Sequence, residues 1–256
     1  MNSLVASREG RLLRLVLNRP DKRNALNGAL CQELVAAIEQ GDRDPGVGAI
    51  LLSGAGKSFC SGMDLSEMLT PAEAPLGPLH ERLFTMVRWV STPIIAAVHG
   101  AALAGGTGLA ANAHIVIAAE DATFGLTEIR IGLWPFVVFR SVVAAIGERR
   151  AVELGLTGRI IDAREAAAMG LAHHVTPAAD LESLAGRIAG EVAAGPDAIR
   201  AGLRFAAETR GLTWEQAGES ALRFRQELFR TPDFAEGIRA FREKRQPRWP
   251  SHKPVE

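Results

Sequence analysis

The chain has 256 residues, with 29 Lys and Arg balanced by 29 Asp and Glu, and 47% of its residues are hydrophobic. That length holds one large domain or two small ones around a sizeable core, and the composition excludes wholesale disorder. Zero net charge excludes the electrostatic footprint of a general nucleic-acid binder. The two cysteines, Cys31 and Cys60, lack CxxC spacing and exclude a disulfide framework, and the absence of Tyr removes any mechanism that needs a phenol.

Residues 1–10 contain no apolar signal-peptide core, because Arg8 and Glu9 arrive too early; a cytoplasmic protein is expected. Leu12–Leu17 predicts a strand ending at Asn18-Arg19-Pro20, and Asn27–Gln40 an amphipathic helix. Val47–Ser53 predicts a second strand, followed by a Gly/Ser-rich loop over Gly54–Gly62. Leu79–Val90 predicts a helix closed by Thr92-Pro93, since the residue before Pro avoids helical angles.

The stretch between Arg88 and Glu120 has no Asp, Glu, Lys or Arg and exceeds the roughly 20 residues of a membrane span. Pro93, Gly100, Gly105, Gly106, Gly108 and Asn112 interrupt it. The pattern therefore predicts a buried strand at Ile94–Val98, a glycine-rich turn, a short helix and a strand at His114–Ala118. Two more strand–helix units reach about Gly158. Beyond Asp162 the pattern is mainly helical, with segments at Leu181–Ala194, Asp197–Thr209, Trp214–Phe229 and Asp233–Arg245. This order predicts an α/β core with a C-terminal helical layer.

Two nucleotide motifs fail on spacing. Gly54-Ala55-Gly56-Lys57-Ser58 resembles the end of a phosphate-binding loop, but the required first glycine is Leu51. Gly106-Thr107-Gly108-Leu109-Ala110-Ala111 fits the dinucleotide fingerprint, yet the candidate ribose acids, Glu120 and Asp121, come too soon after it. A dinucleotide-binding oxidoreductase is thus a minor alternative. No histidine pair has metal-site spacing: His173 and His174 are adjacent, and His80, His99, His114 and His252 are scattered. No metal is expected.

Six segments in order carry a family resemblance. They are Asn18-Arg19-Pro20, Asn24-Ala25-Leu26, Phe59-Cys60-Ser61-Gly62-Met63-Asp64-Leu65, His99-Gly100-Ala101-Ala102-Leu103-Ala104-Gly105-Gly106, Phe124-Gly125-Leu126-Thr127-Glu128 and Phe241-Arg242-Glu243-Lys244-Arg245. Together they resemble the crotonase, or enoyl-CoA hydratase/isomerase, superfamily. The resemblance implies a ClpP/crotonase-like α/β spiral of ββα units over residues 1–195. It also implies a C-terminal helical layer over 196–256 that forms a homotrimer or a dimer of trimers. The implied substrate is an acyl-CoA thioester, with coenzyme A as part of the substrate and no separate cofactor. No nucleic-acid or membrane partner is expected.

By position in the motifs, the Met63 and Gly105 amides would form an oxyanion hole for the thioester enolate. Arg23 and Ala25 would form one wall of the nucleotide site. Ser61, Asp64 and Leu65 would line the pantetheine and adenine path, although Asp64 suits a helix cap equally well. Phe241 would serve the adenine end and Lys244 a phosphate. The basic run Arg239–Arg248 by itself suits either that role or an ordinary solvated face.

Typical hydratases of the family use two glutamates. One corresponds to Glu128; the position of the other is Gly108. Hydration draws on both carboxylates, whereas a β,γ to α,β double-bond shift needs one. The resemblance with this departure favours isomerisation, with hydration as the alternative. A second departure is Trp134-Pro135-Phe136-Val137-Val138, where many hydratases have a glycine-rich turn. Trp134 and Phe136 suit either the core or the wall of an acyl pocket.

Overall fold

The computed structural model describes residues 2–68 and 76–252. Among the described residues, nine strands form two sheets: β1 Leu4–Glu9, β2 Leu12–Leu17, β3 Ala49–Gly54, β4 Ile94–Val98, β5 Ala101–Leu103, β6 Ile115–Ala119, β7 Thr123–Gly125, β8 Ile161–Asp162 and β9 His174–Thr176. The larger sheet has the order β1-β2-β3-β4-β6-β9 and is parallel except for the β1–β2 hairpin; the smaller is β5-β7-β8. The helices are α1 Gly28–Arg43, α2 Leu65–Met68, α3 Leu76–Leu83, α4 Gly105–Ala111, α5 Phe136–Ile146, α6 Glu148–Thr157, α7 Ala163–Met169, α8 Leu181–Ala193, α9 Ala198–Glu208, α10 Trp214–Phe229 and α11 Pro232–Arg242. Strand–strand–helix units recur, as in β1-β2-α1 and β4-β5-α4. One strand of the second unit joins the large sheet and the other the small sheet. No helix among the described residues is long and apolar enough to cross a membrane.

The uncharged run becomes buried parallel strand because both of its faces are covered. Ile94, Ala96 and Val98 of β4 join the main core with Leu30, Leu34 and Ile38 of α1. Ile95 and Ala97 point the other way and pack with Leu181, Ala185 and Ala189 of α8. Asn27 caps α1 by accepting from the Leu30 amide at 3.0 Å, and Glu67 Oε2 accepts from the Gly28 amide at 2.8 Å.

The helix expected over Leu79–Val90 is broken. α3 ends at Leu83 and a short 3₁₀ turn covers Met86–Arg88. The Thr85 hydroxyl donates to the Glu81 carbonyl at 2.7 Å and the Ser141 hydroxyl to the Phe84 carbonyl. Side chains thereby take acceptors that a continuing helix would use. The last expected helix, Asp233–Arg245, ends at Arg242, and Lys244 turns left-handed at φ 52°. Arg200 of α9 ties the helical layer to the core by donating to the Asp42, Asp44 and Val47 carbonyls.

Candidate active site

Two loops meet behind the site. Asn24 is fully buried at φ 55°, a region that Asn tolerates better than most residues. Its amide donates to the Ala55 and Ser58 carbonyls at 2.9 and 2.7 Å, and its Oδ1 accepts from the Arg19 amide at 2.8 Å. This holds the Arg23–Leu26 turn against the second loop, where the Ser61 amide donates to the Arg23 carbonyl at 3.0 Å. The Leu26 amide donates to the Gly62 carbonyl and the Asp64 amide to the Leu26 carbonyl, a parallel bridge centred on Met63. In such a bridge the central residue turns its own N–H away from the paired strand. Arg23, Ala25, Ser61, Met63 and Asp64 are thus brought together. Ala25 is buried and Arg23 exposed.

Asp64 has two ties. It pairs with Arg19 at 2.9 Å, and its Oδ1 accepts from the Ser66 amide and hydroxyl at the start of α2. The Ser66 contacts come first and the Arg19 contact next in holding its carboxyl below the usual range.

The second loop also crosses the start of α4. The Cys60 amide donates to the Ala101 carbonyl, and the Leu103 amide to the Cys60 carbonyl, both at 3.0 Å. Thr107 bonds the carbonyls of Ala102 and Gly125 at 2.6 and 3.0 Å, which fixes α4 onto the small sheet. The approach leaves no room for side chains. A Cβ on Gly106 would lie 2.0 Å from the Cys60 carbonyl oxygen. One on Gly62 (φ +97°) would lie 2.9 Å from Ala104 Cβ and 3.3 Å from the Gly105 nitrogen. Gly105 opens α4, so its N–H has no acceptor within the helix. Ala104 just before it sits at φ 51°, a strained conformation for alanine.

A cavity of about 420 Å³ opens beside these amides. Ser61, Met63, Leu65, Gly105 and Glu128 line it, joined by Trp134 and Phe136. The two aromatics therefore belong to the cavity wall. Trp134 is braced by Phe139, 5.4 Å between ring centroids, and by Gly155, where a Cβ would come within 3.0 Å of the indole. Glu128 begins a 3₁₀ turn right after β7 and is only 8% exposed. Its Oε2 is buried without a hydrogen-bond partner, and desolvation pushes its carboxyl above the ordinary range.

Position 108 explains why one carboxylate stands alone. A Cβ there would lie 2.7 Å from Val138 Cγ1 and 3.0 Å from the Phe84 ring. Side chains from α5 and from the turn after α3 already occupy the space that a glutamate at this position would need. The sequence showed Val138 only as the end of an apolar stretch and gave no sign of Phe84, because the contact joins three segments far apart in the chain. His80, another lining residue, was also missed. Its only signal was the helical spacing to Phe84.

Arg23, Ala25, Asp64, Phe241 and Lys244 are not part of this cavity wall. Phe241 is 83% exposed near the end of α11, and the Lys244 amide donates to its carbonyl at 3.3 Å. Nearby Arg245 is committed to Glu236 and Glu243. No group of three or more His, Cys, Asp or Glu among the described residues is placed to hold a metal ion.

Comparison with known proteins identifies the family and the fold. The enoyl-CoA hydratase/isomerase family model matches residues 7–252. An enoyl-CoA hydratase of Mycobacterium tuberculosis, EchA19, is 36% identical over 251 residues, covering 95% of this chain and 94% of that protein. A 2,3-dehydroadipyl-CoA hydratase of Escherichia coli K12 is 34% identical, covering 96% and 98%. The crystal structure of an enoyl-CoA hydratase from Mycobacterium tuberculosis H37Rv superposes with a TM-score of 0.90 at 32% identity, covering 98% and 100%. A cavity with one desolvated carboxylate, next to two amides freed by glycine-walled backbone, thus stands in a crotonase fold, and the chain belongs to the enoyl-CoA hydratase/isomerase family.

Proposed function

We propose that the protein isomerises the double bond of an enoyl-CoA thioester from the β,γ to the α,β position. The observation that carries this reading is the lone carboxylate: Glu128 is buried with its Oε2 unpartnered, and Val138 and Phe84 fill the place of a second. In the proposed reaction, the thioester carbonyl accepts hydrogen bonds from the Met63 and Gly105 amides. The Glu128 carboxylate takes a proton from the α carbon. The C–H electron pair moves into a dienolate whose oxyanion the two amides stabilise. The carboxylic acid so formed returns the proton to the γ carbon. The electrons re-form the carbonyl and leave the double bond at α,β, with Glu128 ionised again. A raised carboxyl pKa suits such a reversible shuttle.

Coenzyme A arrives as part of the substrate, with no separate cofactor. The Arg23–Ala25 turn and the Ser61, Asp64 and Leu65 loop would receive its nucleotide and pantetheine. Phe241 and Lys244 would complete the nucleotide end across a subunit boundary, in a homotrimer or dimer of trimers built on residues 196–256. The exposure of Phe241 supports a role outside its own subunit's core. We place the enzyme in the cytoplasm.

Hydration of an α,β-enoyl-CoA is the second reading, favoured by the names of the two relatives above. The test is to supply β,γ- and α,β-enoyl-CoA separately to wild type and Glu128→Gln. Isomerisation predicts a β,γ to α,β shift that Glu128→Gln abolishes. Rapid hydration of the α,β substrate with no double-bond shift selects the second reading. Full activity of Glu128→Gln on both substrates overturns the site.

A further inference from the structure

Thr107 is the second residue after Gly105, whose amide is one of the two proposed oxyanion donors, and it is fully buried. A threonine in a helix ordinarily bonds a carbonyl three or four residues back. Thr107 reaches outside α4 instead. Its single hydroxyl hydrogen faces the Ala102 carbonyl of β5 at 2.6 Å and the Gly125 carbonyl of β7 at 3.0 Å. Its oxygen accepts from the Gly125 amide at 2.9 Å.

These partners belong to both halves of the proposed machinery. Ala102 leads through Leu103 and Ala104 to the Gly105 amide, and Gly125 ends β7 three residues before Glu128. The strands pair with Ala102 opposite Phe124 and Leu103 opposite Gly125, and the Ala104 amide donates to the Gly125 carbonyl at 2.8 Å. Ala104 has a left-handed φ of 51°, a conformation that persists only where its surroundings hold it. Thr107 and Gly125 thus grip, from two sides, the peptide that aims the Gly105 N–H. Gly125 itself has little slack, since a Cβ on it would lie 2.7 Å from the Arg159 carbonyl oxygen. A valine at 107 would have the same shape, but it would set methyl groups against the buried Gly125 amide and Ala102 carbonyl.

We infer that Thr107 is a positioning residue for the proposed reaction: its hydroxyl fixes the Gly105 amide relative to Glu128. It acts through the backbone of Ala102 and Gly125, and its side chain is not part of the cavity wall. The inference rests on the enoyl-CoA reading of the site but not on which double-bond reaction occurs there.

Thr107→Val and Thr107→Ser test this with two readouts. One is turnover of β,γ- and α,β-enoyl-CoA. The other is the infrared carbonyl stretch of bound hexanoyl-CoA, isotopically labelled at the thioester carbonyl and recorded well below each protein's Tm. Hydrogen bonds from the two amides weaken the C=O bond, so wild type should lower the stretch relative to free thioester. In Thr107→Val that lowering should shrink and kcat should fall about 10²-fold with KM nearly unchanged, the scale of loss for a slightly misplaced reacting group. Thr107→Ser keeps the hydroxyl and should restore both readouts most of the way. A wild-type stretch or a wild-type kcat in Thr107→Val overturns the assignment, however low its Tm, and so does a Thr107→Ser protein as slow as Thr107→Val. If Thr107→Val does not fold, Thr107→Ala takes its place; failure of both to fold also overturns the assignment, because the hydroxyl then serves the fold alone. If wild type neither turns over an enoyl-CoA nor lowers the stretch, the enoyl-CoA reading itself falls and takes the assignment with it.

Discussion

The cavity around Glu128 and the surface around Phe241 are built in opposite ways. Around the cavity the packing is tight: Gly62, Gly106 and Gly108 each face an atom within 3 Å of where a Cβ would stand, and one oxygen of the acid is buried without a partner. At the surface, Phe241 is 83% exposed, and the nearby acid Glu236 is held low in pKa chiefly by its hydrogen bonds to Arg245. The cavity keeps a carboxylate in an unfavourable environment and so trades stability for chemistry. The surface leaves an apolar ring exposed to water, little covered by the described residues. Substitutions in the first region should therefore move fold and rate together, and those in the second should move binding alone.

The sharpest break of that contrast is Glu128→Gln. Turnover of enoyl-CoA should fall by about 10³, within the range of a lost general acid/base. Stability should change in the opposite direction. The folded pKa lies above the unfolded value, so between the two the native state holds more protons and stability falls as pH rises. At pH 7 the ionised acid is a net cost, and the amide variant should melt higher by a few degrees (~2–4 °C). In wild type, kcat/KM should rise over the same pH window in which stability falls, because the carboxylate is the active form. Calorimetric melting and pH–rate profiles of both proteins check this; a lower Tm for Glu128→Gln would contradict the desolvation account. Next in size is Gly62→Ala. It forces a side chain into φ +97° beside the Gly105 amide, so kcat should drop by about 10²–10³, as for a lost oxyanion donor. Here Tm should fall as well, and steady-state rates with melting curves separate the two substitutions.

The same contrast explains what could be read in the chain. β2 Leu12–Leu17, β4 Ile94–Val98 and α10 Trp214–Phe229 have the bounds that the apolar patterning predicts. β1 gave no signal: five of its six residues are exposed, and pairing with β2 makes it a strand. In the site, the ordered motifs pointed to Met63, Gly105 and Glu128, and the structure brings all three to one cavity wall. The roles of His80, Phe84 and Val138 were illegible because they depend on how α5 and the turn after α3 pack at Gly108 and the cavity. Gly108 was read as an absence, and the structure adds that its space is occupied.

That occupancy predicts a moderate effect on stability. Gly108→Ala should destabilise the fold by about 1–3 kcal/mol, since its Cβ would meet Val138 and the Phe84 ring. Val138→Ala removes the methyl that stands 2.7 Å away, so the double variant should recover much of the loss. Denaturant unfolding of the two singles and the double measures the coupling; strict additivity would show that the two positions do not compete for space.

The smallest effect belongs to the surface. Phe241→Ala removes a ring that its own chain scarcely buries, so Tm should stay within about 1 °C, as for ordinary surface changes. If the ring meets the nucleotide of a substrate bound to a neighbouring subunit, KM for enoyl-CoA should rise about tenfold with kcat unchanged, the signature of lost uniform binding. A pantetheine thioester lacking the nucleotide separates this role from one in assembly. Its KM should be the same for wild type and Phe241→Ala if the ring reads the nucleotide. If the ring instead holds subunits together, both thioesters should suffer equally and sedimentation should show smaller particles. The two regions then answer to different substrates: losses at Glu128 persist with the truncated thioester, and those at Phe241 vanish with it.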